Sequence, residues 1–174
     1  MLEAVTIQYP KQGLMRPLEG GAFAASNATV TGDVHLGEQV TIWFGCVLRG
    51  DDAAIHIGPG TNIQDLTMVH PDIDQPMHLG AGVTVGHRCI LHGESIEDDC
   101  LIGMGAILLA GSRIGAGSII GAGAVVKQGM VVPPRSLVLG LPGRVVREIS
   151  AEELAGNRDA AAGYRAKVRQ YLAQ

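Results

Sequence analysis

Residues 114–125 read IGAGSIIGAGAV, which is one six-residue pattern written twice. Each copy opens with an aliphatic residue, continues with glycine, and has a small or β-branched residue four positions after its start. The same phase runs through most of the chain. Eighteen residues occupy the first position: Ala24, Val30, Leu36, Ile42, Leu48, Ile57, Ile63, Val69, Leu79, Val85, Leu91, Ile96, Ile102, Leu108, Ile114, Ile120, Val126 and Val132. A period of six matches neither an α-helix nor the alternation of a plain strand, and it indicates a repeat architecture.

A triangular coil accounts for this period. Each six-residue unit supplies one short strand and one corner, three units complete a coil, and successive coils stack at the strand spacing of about 4.8 Å. The small residues at the fourth position fit a narrow interior, and a flexible glycine linker would not keep an aliphatic phase for so long. The sequence therefore predicts an all-β solenoid, a parallel β-helix. General preference favours right-handed parallel crossovers, and the spacing by itself does not overrule it.

Two interruptions and the tail complete the expected organisation. Three extra residues fall between Leu48 and Ile57, around residues 53–56, and four extra residues between Val69 and Leu79 form a loop over residues 71–76. Ser150 opens a helix signature. We therefore expect a β-helix domain over residues 1–149, with a lead-in of about residues 1–20. A C-terminal α-helix over residues 150–174 should pack along the prism and cover its open end.

The composition excludes several classes of partner. The chain of 174 residues is 47% hydrophobic and only 3% aromatic, and it contains 25 glycines, so the core consists of small aliphatic side chains. Its net charge of −4 gives no basic footprint for nucleic acid or for an anionic membrane. No segment resembles a membrane span or a signal peptide. We expect a cytoplasmic protein that acts on a small molecule.

Two histidines should share one column of the prism. Val69 and Leu91 are three units apart, so they occupy the same face on adjacent coils, and His70 and His92 follow them directly. The two imidazoles should therefore lie one above the other with their side chains pointing outward. In that arrangement they can converge on one metal ion with bonds of about 2.0–2.1 Å.

A third histidine completes the set from another edge. His87 comes two positions after Val85, on the neighbouring strand, so it cannot join His70 and His92 within one chain. In a threefold oligomer, that edge of one prism would meet the other edge of the next. Three imidazoles with an open position are typical of a catalytic zinc site, although a hydrogen-bonded edge without metal remains an alternative.

Neighbouring columns carry further polar residues. Arg49 belongs to the column of His70 and His92, and Asp65 lies beneath His87. Across a subunit interface, Arg49 and Asp65 can form an ion pair, and Gln64 would reach a metal-bound water. We interpret His35, His56 and His78 as surface residues. Cys46, Cys89 and Cys100 fall at fourth positions and are predicted to be buried core thiols.

The spaced motifs resemble the gamma-class carbonic anhydrase-like family. They are VLRGDD at 47–52, TNIQD at 61–65, VH at 69–70, VTVGH at 83–87 and LHG at 91–93. Matching pieces run from about residue 22 to residue 144, and the short tail resembles the family's C-terminal helix. The combination is specific, whereas hexapeptides alone are shared with many acyltransferases.

This resemblance implies a left-handed β-helix that forms a homotrimer with three interfacial metal sites. It implies reversible hydration of CO2 to bicarbonate by a metal-bound hydroxide, with Zn²⁺ as the ion and Fe²⁺ or Co²⁺ as substitutes. It assigns the metal ligands to His70, His87 and His92. It also implies that Gln64 orients the hydroxide and that Arg49 and Asp65 pair across the interface. Asn62 and Asp51 match family positions in the polar network of the site.

One departure from the family pattern leaves other functions open. Active members carry an acidic loop after the first ligand histidine, with a glutamate thought to shuttle protons. Here the loop over residues 71–78 is short, and its only acidic residues are Asp72 and Asp74. Weak or absent turnover is therefore expected unless Asp52, at another acidic family position, serves as the proton shuttle instead. The alternatives are a CoA-dependent acyltransferase, which needs one general-base histidine, and a non-catalytic trimer stapled by its metal.

Overall fold

A computed structural model describes residue 11 and residues 13–172, which form a parallel β-helix with three faces and a C-terminal helix. Face 1 consists of Phe23–Ala25, Thr41–Ile42, Asn62–Ile63, Thr84–Val85, Leu101–Ile102, Ile119–Ile120 and Ser136–Leu139. The long strands Thr29–Leu36 and Val47–Ile57 cross a corner from face 2 to face 3. Face 2 continues with Met68–Val69, Ile90–Leu91, Ile107–Leu108 and Val125–Val126. Face 3 continues with Met77–Leu79, Ser95–Ile96, Arg113–Ile114 and Val131–Val132.

The first-position residues form the core, as the repeat predicts. Sixteen of the eighteen are buried, and the exceptions, Val30 and Leu36, are half-buried in the first coil. Most residues at the fourth position are buried as well, and the small polar ones among them satisfy corner backbone atoms. For example, the Thr67 hydroxyl donates to the Gly86 carbonyl at 3.0 Å and accepts from the Cys89 amide at 3.1 Å. The inward row of face 1 also extends beyond the predicted units, to Val138.

The chain turns each regular corner at the residue three positions after a first-position residue. There the backbone is left-handed, and the residue is glycine at most corners, because glycine adopts positive φ without steric cost. Five other residues also adopt it at regular corners: Gln39, Leu66, Arg88, Asp99 and Arg135. The glycines that directly follow first-position residues have a different role. A Cβ at Gly103, for instance, would lie 2.5 Å from the Ala122 nitrogen of the next coil.

The first interruption is not where the sequence predicts it. Val47–Ile57 is one continuous strand whose pairing with Thr29–Leu36 shifts between Gly32 and Val34. Because Ile55 and His56 pair in register, the inserted residues lie within 51–54. The prediction of extra residues around 53–56 is therefore wrong for 55 and 56 and overlaps the insertion at 53 and 54. Residues 71–76 form the predicted outward loop, which is closed by an Asp72–Gln75 bridge.

The C-terminal helix, α1, spans Ala151–Lys167, and a 3-10 turn follows at Val168–Gln170. Ser150 caps the helix, as predicted, and forms a capping box with Glu153, while residues 173 and 174 lie outside the described part. The helix runs along the side of the prism. Its Asn157 donates to the Asp99 carbonyl at 3.0 Å, and its Tyr164 packs edge-on against Trp43.

Antiparallel strands extend face 1 at both ends of the prism. Face 1 finishes in the antiparallel strands Met15–Pro17 and Arg144–Glu148, and a 3-10 turn at Glu19–Gly21 joins the first of these to the first coil. After α1 the chain reaches the N-terminal end of the prism, where the Met15 amide donates to the Tyr171 carbonyl at 3.2 Å and Val168 is buried in the core. That this segment covers the open end stays a prediction. Within the described residues, no helix is long and apolar enough to cross a membrane.

Candidate metal centre

His70 and His92 lie one above the other at the corner between faces 2 and 3, as the spacing predicts. Val69 pairs with Leu91, and the two imidazole centroids are 5.6 Å apart with the ring planes 11° from parallel. Arg49 belongs to the same column because Leu48 pairs with Val69. The six-residue phase therefore gives the correct neighbours for both histidines.

Hydrogen bonds fix which nitrogen of two histidines is free. His92 Nδ1 contacts the His70 carbonyl oxygen, which only accepts, so this nitrogen carries the proton. His87 Nδ1 lies 2.7 Å from Asp65 Oδ2, in the predicted position above that carboxylate. A carboxylate that accepts from one ring nitrogen orients the ring and leaves the other nitrogen with its lone pair. Nε2 is therefore the available ligand atom of both His92 and His87.

Among the residues that the structure describes, none forms a hydrogen bond with Nε2 of His70. Its Nε2 is inaccessible to water, and although Asp52 Oδ2 lies 3.0 Å away and Asp51 Oδ1 3.4 Å away, neither is aligned for a hydrogen bond. The three residues bring their ligand atoms within 4.8 Å of one another. An unpartnered buried polar atom costs about 1–3 kcal/mol. A metal ion bound at Nε2 would remove that cost, so the chemistry of the residues fits one.

Arg49 organises the acidic end of this site. Its guanidinium contacts Asp51, and this hydrogen bond holds the pKa of the Asp51 carboxyl below its ordinary value. The family resemblance assigns Asp51 and Asp52 to the site, but the six-residue spacing does not place them beside His70, because they approach it only through the shifted strand pairing. Asp74 of the short loop donates its amide to the Asp52 carbonyl at 3.3 Å, so the loop packs against the same segment.

Gln64 and Asn62 form a buried polar relay on face 1. Gln64 Nε2 donates to Asn62 Oδ1 at 3.1 Å, and Asn62 Nδ2 donates to the Thr84 hydroxyl at 2.9 Å. Gln64 is 6% exposed and Asn62 1% exposed. These hydrogen bonds fix the orientation of the Gln64 side-chain amide, and Gln64 directly precedes Asp65 in the chain.

One chain does not gather the three histidines. The strand Ile90–Leu91 separates His87 from His92, and His87 does not belong to the group of ligand atoms formed by Asp51, Asp52 and His70 among the described residues. Arg49 and Asp65 are likewise apart in the single chain, where they contact Asp51 and His87. Their predicted ion pair across subunits stays a prediction.

The other histidines and the cysteines have contrasting environments. His35 and His78 are exposed and His56 is half-buried, but the three rings stack on face 3, which the sequence interpretation missed. The signal was present, because each of them directly precedes a first-position residue of that face. Burial, with the neighbouring His78 and His35, lowers the pKa of His56.

Cys46, Cys89 and Cys100 are buried, as predicted. Burial raises the pKa of Cys46 and Cys89 to about 11 and that of Cys100 to about 12. These thiols are therefore protonated at neutral pH.

Comparison with known proteins identifies the family. A model of bacterial transferase hexapeptides (six repeats) matches residues 95–128. A carbonic anhydrase of Geobacillus kaustophilus is 42% identical over 146 residues, which cover 84% of this chain and 80% of that protein. The mitochondrial gamma carbonic anhydrase 1 of Arabidopsis thaliana is 40% identical over 149 residues, which cover 82% of this chain and 54% of that protein. The chain belongs to the gamma carbonic anhydrase family.

Solved structures agree with this gamma carbonic anhydrase assignment at the level of fold. A hexapeptide transferase family protein from Anaplasma phagocytophilum superposes with a TM-score of 0.84 at 38% identity, covering 90% of this chain and 92% of that one. The chain thus has the left-handed parallel β-helix expected from the resemblance. The chain spans about half the length of the Arabidopsis gamma carbonic anhydrase, although it spans most of the Geobacillus protein.

Proposed function

We propose that three copies of this chain form a homotrimer that hydrates CO2 reversibly to bicarbonate at a metal ion bound between neighbouring subunits. One observation carries this proposal. Three histidines present Nε2 atoms for a metal, but His70 and His92 lie on one edge of face 2 and His87 on the other. A second copy that brings its opposite edge to the first would complete the set.

The surface between the two edges supports the trimer. Face 2 carries an outward row of apolar residues: Val47, Met68, Ile90, Ile107 and Val125. Met68 is 37% exposed and Ile90 45% exposed in the single chain. A contiguous apolar row of this kind marks an interaction surface, and cyclic symmetry lets each copy offer one edge to each neighbour.

Leu66 gives a second indication at the His87 edge. It adopts a left-handed backbone with φ of 64° and is 62% exposed, although glycine fills this position at most corners. A large apolar side chain in this conformation is strained and gains nothing from facing water. Burial of Leu66 against a neighbouring copy supplies the reason for its presence.

The donor set indicates a zinc-type ion. Three imidazoles with an open position suit catalytic zinc, and Fe²⁺ or Co²⁺ would bind the same ligands. When bound, such an ion lowers the pKa of a coordinated water from about 15.7 to about 7, as zinc does in carbonic anhydrase, and so supplies a hydroxide nucleophile at neutral pH.

The chain's own residues position the reactants and remove the proton. Because Nε2 of Gln64 is engaged by Asn62, its Oε1 accepts a hydrogen bond from the attacking water. Asp52, 3.0 Å from His70 Nε2 and partly exposed, accepts the proton and passes it to buffer. Across the interface, Arg49 pairs with Asp65 and aligns the two edges. The cytoplasmic location expected from the composition stays a prediction.

Stopped-flow CO2 hydration tests the proposal on the trimer loaded with Zn²⁺ and, anaerobically, with Fe²⁺. We expect a rate above buffer in at least one form, loss of that rate in His87→Ala, and retention in Lys127→Ala. Lys127 is the matched control because it lies exposed in the same column as His92, two coils further on. No rate above buffer in either metal form would refute the enzymatic proposal.

A transfer activity is the second candidate, and the likeness to the Anaplasma hexapeptide transferase family protein favours it. Acyl transfer needs one general-base histidine and no metal. Stoichiometric binding of acetyl-CoA by a trimer that retains no metal after dialysis would reverse the order of the two candidates. A trimer that keeps metal without turnover would instead indicate an interfacial staple.

A further inference from the structure

A column of three histidines crosses face 3, away from the proposed interface on face 2. His35 pairs in register with His56, and His56 pairs with His78. The ring centroids are 4.6 Å and 4.8 Å apart, and the ring planes are 10° and 6° from parallel. The column ends there, since Ser95 and Arg113 occupy the same position on the next two coils.

The ring nitrogens of this column are not equally engaged. His35 Nε2 lies 2.7 Å from Asp33 Oδ1, so a carboxylate already holds that ring. Within the described residues, no hydrogen bond or ion pair involves the ring nitrogens of His56 or His78. Two adjacent imidazoles with available nitrogens therefore project from neighbouring strands whose backbone pairing holds them in place.

The spacing matches the demands of a transition metal. An ion bound to two imidazole nitrogens at about 2.0–2.1 Å holds the ring centroids about 4.5–5.2 Å apart for bond angles between about 90° and tetrahedral. The His56–His78 separation of 4.8 Å falls in that range. Because the two rings are nearly parallel, their in-plane lone pairs do not meet in this arrangement, so metal binding requires the rings to rotate, and His78 is exposed enough to do so.

We propose that His56 and His78 bind a divalent transition metal ion on face 3, with water in its other positions, separately from the interfacial site. Neutral imidazoles favour Cu²⁺ above Ni²⁺ and Zn²⁺ in the general order of stability for divalent ions. The site does not depend on the trimer or on CO2 hydration, because both ligands come from one chain.

Equilibrium dialysis of the apo-protein against Cu²⁺, with metal counted per chain, tests this site. Wild type should bind one ion per chain more than His56→Ala or His78→Ala. Ser95→Ala, in the same row one coil further on, should match wild type, as should His35→Ala. The extra ion should show nitrogen hyperfine structure in its electron paramagnetic resonance spectrum.

Three results would overturn the assignment. The first is that His56→Ala and wild type bind equal numbers of ions. The second is that His35→Ala loses the ion that His78→Ala keeps. The third is that the extra ion shows no nitrogen ligation. Circular dichroism of each variant confirms that the comparison is between folded proteins. Loss of the interfacial ion in His87→Ala leaves the face 3 ion in place, so the two sites are counted independently.

Discussion

Two inactive variants should restore each other when they share a trimer. His70→Ala removes a ligand from one edge of the prism and His87→Ala removes a ligand from the other, so neither variant alone can form a complete site. In a mixed trimer, one interface joins an intact His70 edge to an intact His87 edge, whichever variant is in the majority. Random co-assembly of equal amounts makes about three quarters of the trimers mixed, and the expected recovery is about 25% of the wild-type rate per chain.

The measurement combines co-expression with stopped-flow CO2 hydration. Native mass spectrometry of the differently tagged chains gives the mixed fraction, and the recovered rate should equal about one third of that fraction. Co-expression of His70→Ala with Lys127→Ala is the control, and it should give about half of the wild-type rate, since only the His70 edge is missing from half of the chains. A mixture that stays inactive while the control reaches one half would refute an intersubunit site.

Three further outcomes follow from the geometry. Gln64→Ala should lower kcat about tenfold to a hundredfold without changing trimer mass or metal content, because one hydrogen bond to the attacking water is lost. The control Gln128→Ala, at an exposed position, should leave kcat unchanged. An unchanged kcat in Gln64→Ala would remove that residue from the mechanism. Iodoacetamide at about pH 8 should leave the native cysteines unmodified and label three per chain in denaturant, since burial raises their pKa to about 11 and 12; mass spectrometry showing labelled native protein would contradict this. Hydrogen bonds from Arg147 and the Ser150 amide lower the pKa of Glu153 from 4.5 to about 2, so its contribution to the start of α1 is fully present above pH 4.5 and is lost as the pH falls through about 2. Amide exchange at the first turn of α1 should therefore accelerate in that window in wild type and not in Glu153→Gln, and equal pH profiles would show that the Arg147–Glu153 pair has no such role.

The sequence predicts the columns of the prism well because the interior accepts little variety. An inward first position carries an aliphatic side chain, so the phase of Val69 and Leu91 also determines the neighbours of His70 and His92. The same reasoning fails where residues are inserted. The segment between Leu48 and Ile57 can be aligned in several ways that keep an aliphatic residue inward, and only the backbone pairing shows that Ile55 is the buried one.

In the candidate site too, the six-residue spacing predicts some contacts and not others. Spacing places Asp65 beneath His87, and the contact at 2.7 Å follows from it. It does not give the proton on His92 Nδ1, which depends on a carbonyl oxygen one coil away. Nor does it give the approach of Asp52 to His70, because that contact exists only through the shifted pairing of a bent strand.

The path of α1 along the prism has a consequence for how the protein unfolds. In a stack where each coil touches only its neighbours, the ends open first and stability behaves as a chain of nearest-neighbour terms. Here Asn157 is bonded to coils near the C-terminal end, while Tyr164 packs against Trp43 near the N-terminal end. This single helix spans several coils, so loss of its contacts with one end of the prism also weakens its contacts with the other end. Unfolding of the whole solenoid should therefore be one cooperative event, in which the coils do not peel away in sequence.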